Sequence, residues 1–121
     1  MKVAITTQDN DIDALVDPRF GRAAWFIIVD PESEEWTAVD NRANADAGGG
    51  AGVQAGTIVA DQGVGAVITG NVGPNAHRTL AAAGVGVYQA GNGVTAREAL
   101  RRYKAQELPV VTTPTVAGHW S

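Results

Sequence analysis

The nine residues AVITGNVGP, at positions 66–74, carry the clearest indication of the fold class. The first four form a continuous apolar run, which is typical of a strand buried in a parallel sheet. Two glycines in the following loop lead to Pro74, a residue type that is favoured in the first turn of a helix. This sequence therefore predicts a strand, a tight loop and a helix over 74–83 that ends at Gly84.

The same order of elements recurs around these nine residues. Two more helices are predicted to begin in glycine-rich loops, one over residues 51–62 and one after residues 91–93. A further strand is predicted over 85–88, and Thr95 and Glu98 have the spacing of a helix capping box. Because such β–α–β units cross over in a right-handed sense, the alternation predicts a parallel half-sheet flanked by helices.

The N-terminal third has the pattern of strands. Residues 2–6 form a short apolar strand, and residues 24–30 and 35–40 flank a turn and are expected to pair as an antiparallel hairpin. The fold class is therefore α/β, with a single mixed five-stranded sheet. One domain is expected over residues 1–107, followed by a flexible C-terminal tail over 108–121 that has no helical period.

Composition excludes several classes of function. The 121 residues include 9 Lys and Arg against 13 Asp and Glu, so the positive surface of a nucleic-acid binder is absent. No apolar stretch approaches the ~20 residues that cross a bilayer. The N-terminal segment turns polar at Thr6 and does not have the pattern of a signal peptide, so we expect a cytoplasmic protein. Without cysteine there are no disulfides and no thiolate-bound metals.

Three short motifs have weaker support. Asp9, Asp11 and Asp13 begin like a calcium loop, but the glycine and glutamate that such a loop needs are missing, which favours a solvated acidic loop. The GxGxxA pattern of residues 91–96 lies in the last β–α unit, where a dinucleotide site would lack its ribose-binding carboxylate. His77 and His119 are not spaced as a zinc pair. No catalytic constellation is visible.

The glycine-rich loops provide the strongest functional signal. In an open α/β sheet they gather at the carboxyl ends of the strands, where helix N-termini carry about half a positive charge each. Arg19 and Arg22, after the first strand, add two full charges at the same edge. The pattern predicts a site for an anion with many acceptor atoms. The alternative is that these are only chain-reversal glycines and surface arginines.

Five motifs together resemble the dinitrogenase iron–molybdenum cofactor biosynthesis family, which includes NifX-like and NafY-like carriers, the C-terminal domain of NifB and the orange protein of sulfate reducers. They occur in the family's order at residues 17–23 (DPRFGRA), 49–52 (GGAG), 66–76 (AVITGNVGPNA), 83–88 (AGVGVY) and 94–100 (VTAREAL). The resemblance covers nearly all of residues 1 to 105. It implies a ribonuclease-H-like, three-layer α/β/α fold.

The resemblance also implies a function, because members of this family hold preformed metal–sulfur clusters. The expected cargo is a molybdenum-containing sulfide cluster, molybdenum–copper or iron–molybdenum, that is bound non-covalently and that the isolated protein need not carry. The candidate binding residues are Arg19, Phe20, Gly21, Arg22, Gly49, Gly50, Ala51, Gly52, Gly70, Gly73, Asn75 and Gly93, and His77 is a candidate metal ligand. Some relatives have histidines in the first glycine-rich loop, where this chain has Ala47 and Gly49.

Three hypotheses follow for the activity. The first is a non-enzymatic cluster carrier that exchanges its cargo with a cluster-donor or ATPase protein. The second is a regulatory or adaptor module that binds a protein partner through the tail. The third is a hydrolase on the same scaffold, which would need metal-binding carboxylates such as Asp9, Asp11 or Asp13. A nucleic-acid or membrane partner is not expected.

Overall fold

The computed structural model describes residues 1–46 and 49–117 of the chain. Its five strands are β1 (Lys2–Thr7), β2 (Trp25–Val29), β3 (Trp36–Asp40), β4 (Val64–Thr69) and β5 (Gly86–Gln89). Its four helices are α1 (Arg42–Ala45), α2 (Ala51–Asp61), α3 (Pro74–Ala82) and α4 (Ala96–Lys104).

The strands form one mixed sheet in the order β3-β2-β1-β4-β5. Strand β2 is antiparallel to both β1 and β3, whereas β4 is parallel to β1 and to β5. Consequently β1, β3, β4 and β5 all point the same way, and their carboxyl ends share one edge of the sheet, which we call the carboxyl edge. The predicted mixed sheet with an antiparallel hairpin is confirmed.

Helices cover both faces of the sheet. The core on one face packs α2 and α3 against the strands and includes Phe20, Phe26 and Leu80. The core on the other face packs α4 and includes Ile5 and Ile68. Because successive side chains of a strand point to opposite faces, Ala4 belongs to the first core and Ile5 to the second. The predicted three-layer α/β/α arrangement is confirmed.

The one-turn helix α1, which ends just before the first glycine-rich loop, is an element that the sequence pattern did not predict. It forms because the buried Asn41 side chain donates to the Ala23 carbonyl (2.7 Å) and its backbone N–H donates to the Ala24 carbonyl (2.9 Å), which holds the chain against β2. Ala45 N then donates to the Asn41 carbonyl (2.8 Å) and closes the turn. Residues 47 and 48 of the first glycine-rich loop lie outside the described residues.

The segment after α4 is hydrogen-bonded to the domain as far as Thr115. Gln89 N donates to the Pro109 carbonyl (3.0 Å), Val111 N donates to the Val87 carbonyl (2.8 Å), and Thr115 N donates to the Val72 carbonyl (2.9 Å). The flexibility of residues 108–121 stays a prediction, and His119 lies outside the described residues. Within residues 1–46 and 49–117, no helix is long and apolar enough to span a bilayer.

Truncating Leu80 is expected to destabilise the domain strongly. This side chain is fully buried between α3 and the sheet, so Leu80→Ala removes packed methyl groups and leaves a cavity. We expect the free energy of unfolding to fall by about 2–5 kcal/mol, measured by urea denaturation. Val53→Ala on α2 is the control, because that side chain is 43% exposed and its loss should cost less than about 1 kcal/mol.

Candidate functional site

The carboxyl edge brings together the loops that precede three helices. Because β3, β4 and β5 end there, α2, α3 and α4 all begin there, at Ala51, Pro74 and Ala96. The long connection from β1 to β2, residues 8–24, starts and ends at the same edge. The structure therefore gathers the glycine-rich loops as the alternation of strands and helices predicted.

The connection between β1 and β2 is fixed to the loop after β4. Phe20 N donates to the Asn71 carbonyl (3.0 Å), and Asn71 Nδ2 donates to the Pro18 carbonyl (3.2 Å). Gly70 is required at this contact, because a Cβ there would lie 2.6 Å from the Pro18 Cα atom. These contacts hold Arg19 beside Asn71, with which it forms an isolated parallel bridge.

A buried polar cluster lies beneath this contact. The Thr6 hydroxyl lies 3.0 Å from the Asp17 carbonyl and 2.9 Å from Thr69 Oγ1, so it joins the ends of β1 and β4. The Asp17 carboxylate, in a residue that is only 7% exposed, accepts the Arg19 N–H (2.9 Å). Burial raises the pKa of the Asp17 carboxyl above its ordinary value, although the N–H groups of Arg19 and Ala24 act in the opposite direction.

Arg22 connects the same loop to the end of α1, the helix that precedes α2. Its Nη1 donates to the Ala45 carbonyl at the end of α1 (3.0 Å). Asn44 Nδ2 donates to the Ala51 carbonyl (3.0 Å) and also lies 3.5 Å from the Gly21 carbonyl. The predicted residues Gly21, Arg22 and Ala51 are therefore brought together around α1, although nothing in the sequence indicated that Asn44 would bond to both Gly21 and Ala51.

The three helix N-termini differ in how their amides are used. In α4 the first amides are already bonded, because Ala96 N donates to Ala14 O (2.9 Å) and Arg97 N to Ile12 O (2.9 Å). The Thr95 side chain accepts from the third, Glu98 N (3.1 Å), as the capping-box spacing predicted. The predicted binding residue Gly93 (φ 75°) therefore precedes a helix whose first turn is satisfied.

Helices α2 and α3 begin without side-chain caps among the described residues. Their N-cap positions are Gly50, in the left-handed region at φ 75°, and Gly73. A helix start carries unpaired N–H donors and about half a positive charge. The side of the carboxyl edge that joins α2 and α3 to Arg19 and Arg22, which we call the α2–α3 side, therefore favours negative charge.

The remaining predicted residues are distributed unevenly around this side. Gly49 and Gly50 are exposed, whereas Ala51, Gly52 and Gly73 are buried at the helix starts. Asn75 is exposed, and its Oδ1 accepts from Arg78 Nη1 (3.3 Å). The predicted residues that lie on the α2–α3 side or at its border are Arg19, Gly21, Arg22, Gly49, Gly50, Ala51, Gly52, Gly70, Gly73 and Asn75.

Two predicted residues have their side chains in other contacts. Phe20 is fully buried, with its ring centroid 5.8 Å from that of Phe26 in the core, so its side chain packs against the protein. His77 Nε2 lies 3.3 Å from the Val111 carbonyl. No group of three or more metal-ligating side chains occurs within the described ranges, so a metal-binding role for His77 stays a prediction.

A cavity of about 670 Å³ opens at the same edge on the side of α4. Its polar lining includes Gly70, Asn71, Gln89, Asn92, Arg101 and Arg102. Both arginines are paired with Glu98, at 2.8 and 2.9 Å, which offsets part of their charge. The sequence did not indicate this cavity, because the cavity depends on how α4 crosses the sheet.

Comparison with known proteins identifies the family. The family model described as dinitrogenase iron–molybdenum cofactor matches residues 1–106. The chain belongs to this family. An uncharacterized protein from Methanocaldococcus jannaschii is 33% identical over 92 residues, which are 74% of this chain and 75% of that protein.

Two solved structures are similar over almost the whole chain. The apo form of the orange protein from Desulfovibrio gigas is 40% identical, with a TM-score of 0.92 and coverage of 95% of this chain and 96% of that chain. An NMR structure from Thermotoga, provisionally described as a NifB protein of the DUF35 family, is 40% identical, with a TM-score of 0.82. The match covers 95% of this chain and 97% of that chain. Both structural similarities agree with the membership of the iron–molybdenum cofactor family.

Substituting Gly70 should loosen the contact that holds Arg19. In Gly70→Ala the new methyl group meets the Pro18 backbone, which cannot rotate away, so we expect a loss of about 1–3 kcal/mol in the free energy of unfolding. Gly91→Ala is the matched control at the same edge, because nothing lies within 4 Å of the position that a Cβ would take there. Equal urea midpoints for the two variants would contradict this packing.

Asp17 should make stability fall as the pH rises. Because burial raises its pKa in the folded state, its contribution is fully present below the unfolded value of about 3.9 and is lost as the pH rises through the folded value. The free energy of unfolding of the wild type, relative to Asp17→Asn, is therefore expected to decrease from about pH 4 upward. Urea denaturation of both proteins over this range measures the difference, and a difference that increases with pH would contradict it.

Proposed function

We propose that this protein is a non-enzymatic carrier for an anionic metal–sulfur cluster, which it binds non-covalently at the α2–α3 side of the carboxyl edge. Membership of the iron–molybdenum cofactor family and similarity to the apo orange protein support handling of this class of cargo. The observation that carries the choice of site is that α2 and α3 begin with glycine N-caps, and with no side-chain cap among the described residues, beside Arg19 and Arg22.

The chemistry of the chain suits a cluster that is held without thiolates. There is no cysteine, so the sulfur atoms must come with the cargo. Sulfide atoms of a thiometallate are acceptors for backbone N–H groups and guanidinium groups, and both kinds of donor occur at this side. A binding mode of this kind leaves the cluster's own bonds intact, which is what a carrier requires.

Arg19 and Arg22 would contribute in different ways. Arg19 is exposed and has its backbone fixed by Asp17 and Asn71, so its side chain can reach a bound anion at little cost to the loop. Arg22 is partly buried and donates to the Ala45 carbonyl, so it both adds charge and orders the approach to α2. Substitution of Arg19 is therefore the cleaner probe of cargo binding.

The identity of the cargo is part of the proposal. A molybdenum–copper sulfide or an iron–molybdenum precursor would each present sulfide atoms and negative charge to the same donors. Anaerobic titration of the cargo-free protein with tetrathiomolybdate, with and without copper(I), followed by desalting and metal analysis, tests the first of these cargoes. Stoichiometric molybdenum in the protein fraction supports the carrier function, and a copper requirement supports the molybdenum–copper cluster.

A correctly folded protein that retains no molybdenum in either titration would contradict thiomolybdate as cargo. The same experiment with an iron–molybdenum precursor then decides whether the carrier function survives. If neither kind of cluster is retained, the carrier proposal fails and a protein-binding adaptor function takes its place. We place this carrier in the cytoplasm, where donor and acceptor proteins for such clusters would exchange it.

Removing the Arg19 charge should weaken retention of the cargo without affecting folding. Because this arginine is exposed and its charge is partly screened, we expect Arg19→Ala to reduce the affinity for tetrathiomolybdate about three- to tenfold. Arg97→Ala is the matched control, because Arg97 lies at the α4 side and is paired with Asp13 at 2.7 Å. Equal affinities of the two variants would exclude Arg19 from the site.

A further inference from the structure

The chain segment of residues 109–115, which we call the strap, follows α4 and lies over two parts of the domain. It first runs beside β5, where Tyr88 and Val110 form an isolated antiparallel bridge. Pro109 and Val111 make the flanking backbone hydrogen bonds to that strand. The strap then leaves β5 and reaches the loop that connects β4 to α3.

At that loop the strap is attached through Thr115. Thr115 N donates to the Val72 carbonyl (2.9 Å), and Val72 N donates to Thr115 Oγ1 (2.9 Å). Val72 lies between Asn71, which is bonded to Phe20 and Pro18, and Gly73, the N-cap of α3. The hydroxyl oxygen of Thr115 therefore accepts a hydrogen bond from an amide in the middle of the proposed cargo-binding loop.

A third attachment lies between these two. His77 Nε2, in the first turn of α3, is 3.3 Å from the Val111 carbonyl. The strap is thus held at β5, at the first turn of α3 and at Val72. All of these contacts lie at the carboxyl edge or along β5 next to it.

Little apolar burial supports the strap. Val110 is 59% exposed, and only Val111 among its apolar residues packs against the core. Its prolines and threonines are exposed. A segment that is held by a few partly buried hydrogen bonds and one partly buried side chain opens at lower free energy than the core does. It can therefore leave while the sheet stays folded.

We propose that the strap gates the cargo site, with the Thr115 hydroxyl holding the Val72 amide until an anionic cluster replaces it. This inference rests on the proposed carrier function and adds its regulation. A backbone N–H makes one strong hydrogen bond at a time, so the cargo and Thr115 compete for Val72. The hydroxyl satisfies the amide in the empty protein, and release of the strap exposes it when a sulfide acceptor arrives.

The test compares Thr115→Val with Thr113→Val, using the full chain and tetrathiomolybdate as the probe. Valine matches threonine in shape but cannot accept the Val72 N–H. Thr113 is exposed in the same strap, which makes its substitution the matched control. Loss of one competing hydrogen bond should raise the affinity of Thr115→Val for tetrathiomolybdate about fivefold, with Thr113→Val unchanged.

Amide hydrogen exchange, followed residue by residue by NMR, supplies a readout that does not depend on any variant. In the wild type, addition of tetrathiomolybdate should accelerate exchange at Val111 and Thr115 while Val72 stays protected by its new acceptor. Unchanged exchange at Val111 and Thr115 in a protein that has bound the probe would overturn the gate and leave the carrier function standing. This exchange measurement on the wild type tests the gate even if Thr115→Val folds poorly.

The remaining outcomes separate the two proposals. Tighter retention of molybdenum by Thr115→Val than by the wild type and Thr113→Val supports the gate. Equal affinity of the wild type and both variants overturns the gate alone. Failure of all three proteins to retain molybdenum overturns both the gate and thiomolybdate as the cargo.

Discussion

The Thr6 hydroxyl joins β1 to β4 and thereby sets the geometry of the carboxyl edge. It contacts both Thr69 and the Asp17 carbonyl, and so it fixes the point where the chain leaves β1 relative to the point where it leaves β4. The Asp17 carboxylate then fixes the Arg19 backbone. A buried polar cluster of this kind has few alternative arrangements, because each group would lose its partner if it moved.

The edge has two sides of different electrostatic character because the chain uses its loops differently. On the side of α4, the carbonyls of Ile12 and Ala14 take the first amides of the helix, and the Asp13 carboxylate pairs with Arg97. On the α2–α3 side, glycines stand at both N-cap positions and no described side chain caps either helix. The acidic loop after β1 thus satisfies the amides of one helix start, and the proposed anion site rests on the positive ends of the other two helix dipoles.

Much of the fold could be predicted from the sequence because local signals and the overall pattern agree. Pro74 begins α3, Ala51 begins α2 and Thr95 caps α4, each as the residue type indicates. The helix α1 could not be predicted, because it depends on the Asn41 side chain bonding to Ala23, eighteen residues earlier. Local propensity does not report such a long-range bond.

The candidate site was predictable only in part, because local propensity does not report contacts between distant residues there either. The use of the α4 amides by the loop after β1, and the attachment of the strap to the loop after β4, depend on contacts between distant parts of the chain. Glycine content alone therefore could not distinguish a helix start whose amides are already hydrogen-bonded from one without a side-chain cap.

The bridge between Val110 and Tyr88 also has a consequence for how the protein behaves among copies of itself. Strand β5 is an edge strand of the sheet. The unpaired backbone groups of an exposed edge strand can pair with another chain. The passage of residues 109–111 beside it covers part of that row of groups. A chain shortened before this passage would present a longer bare strand, and its tendency to self-associate and precipitate would increase with concentration.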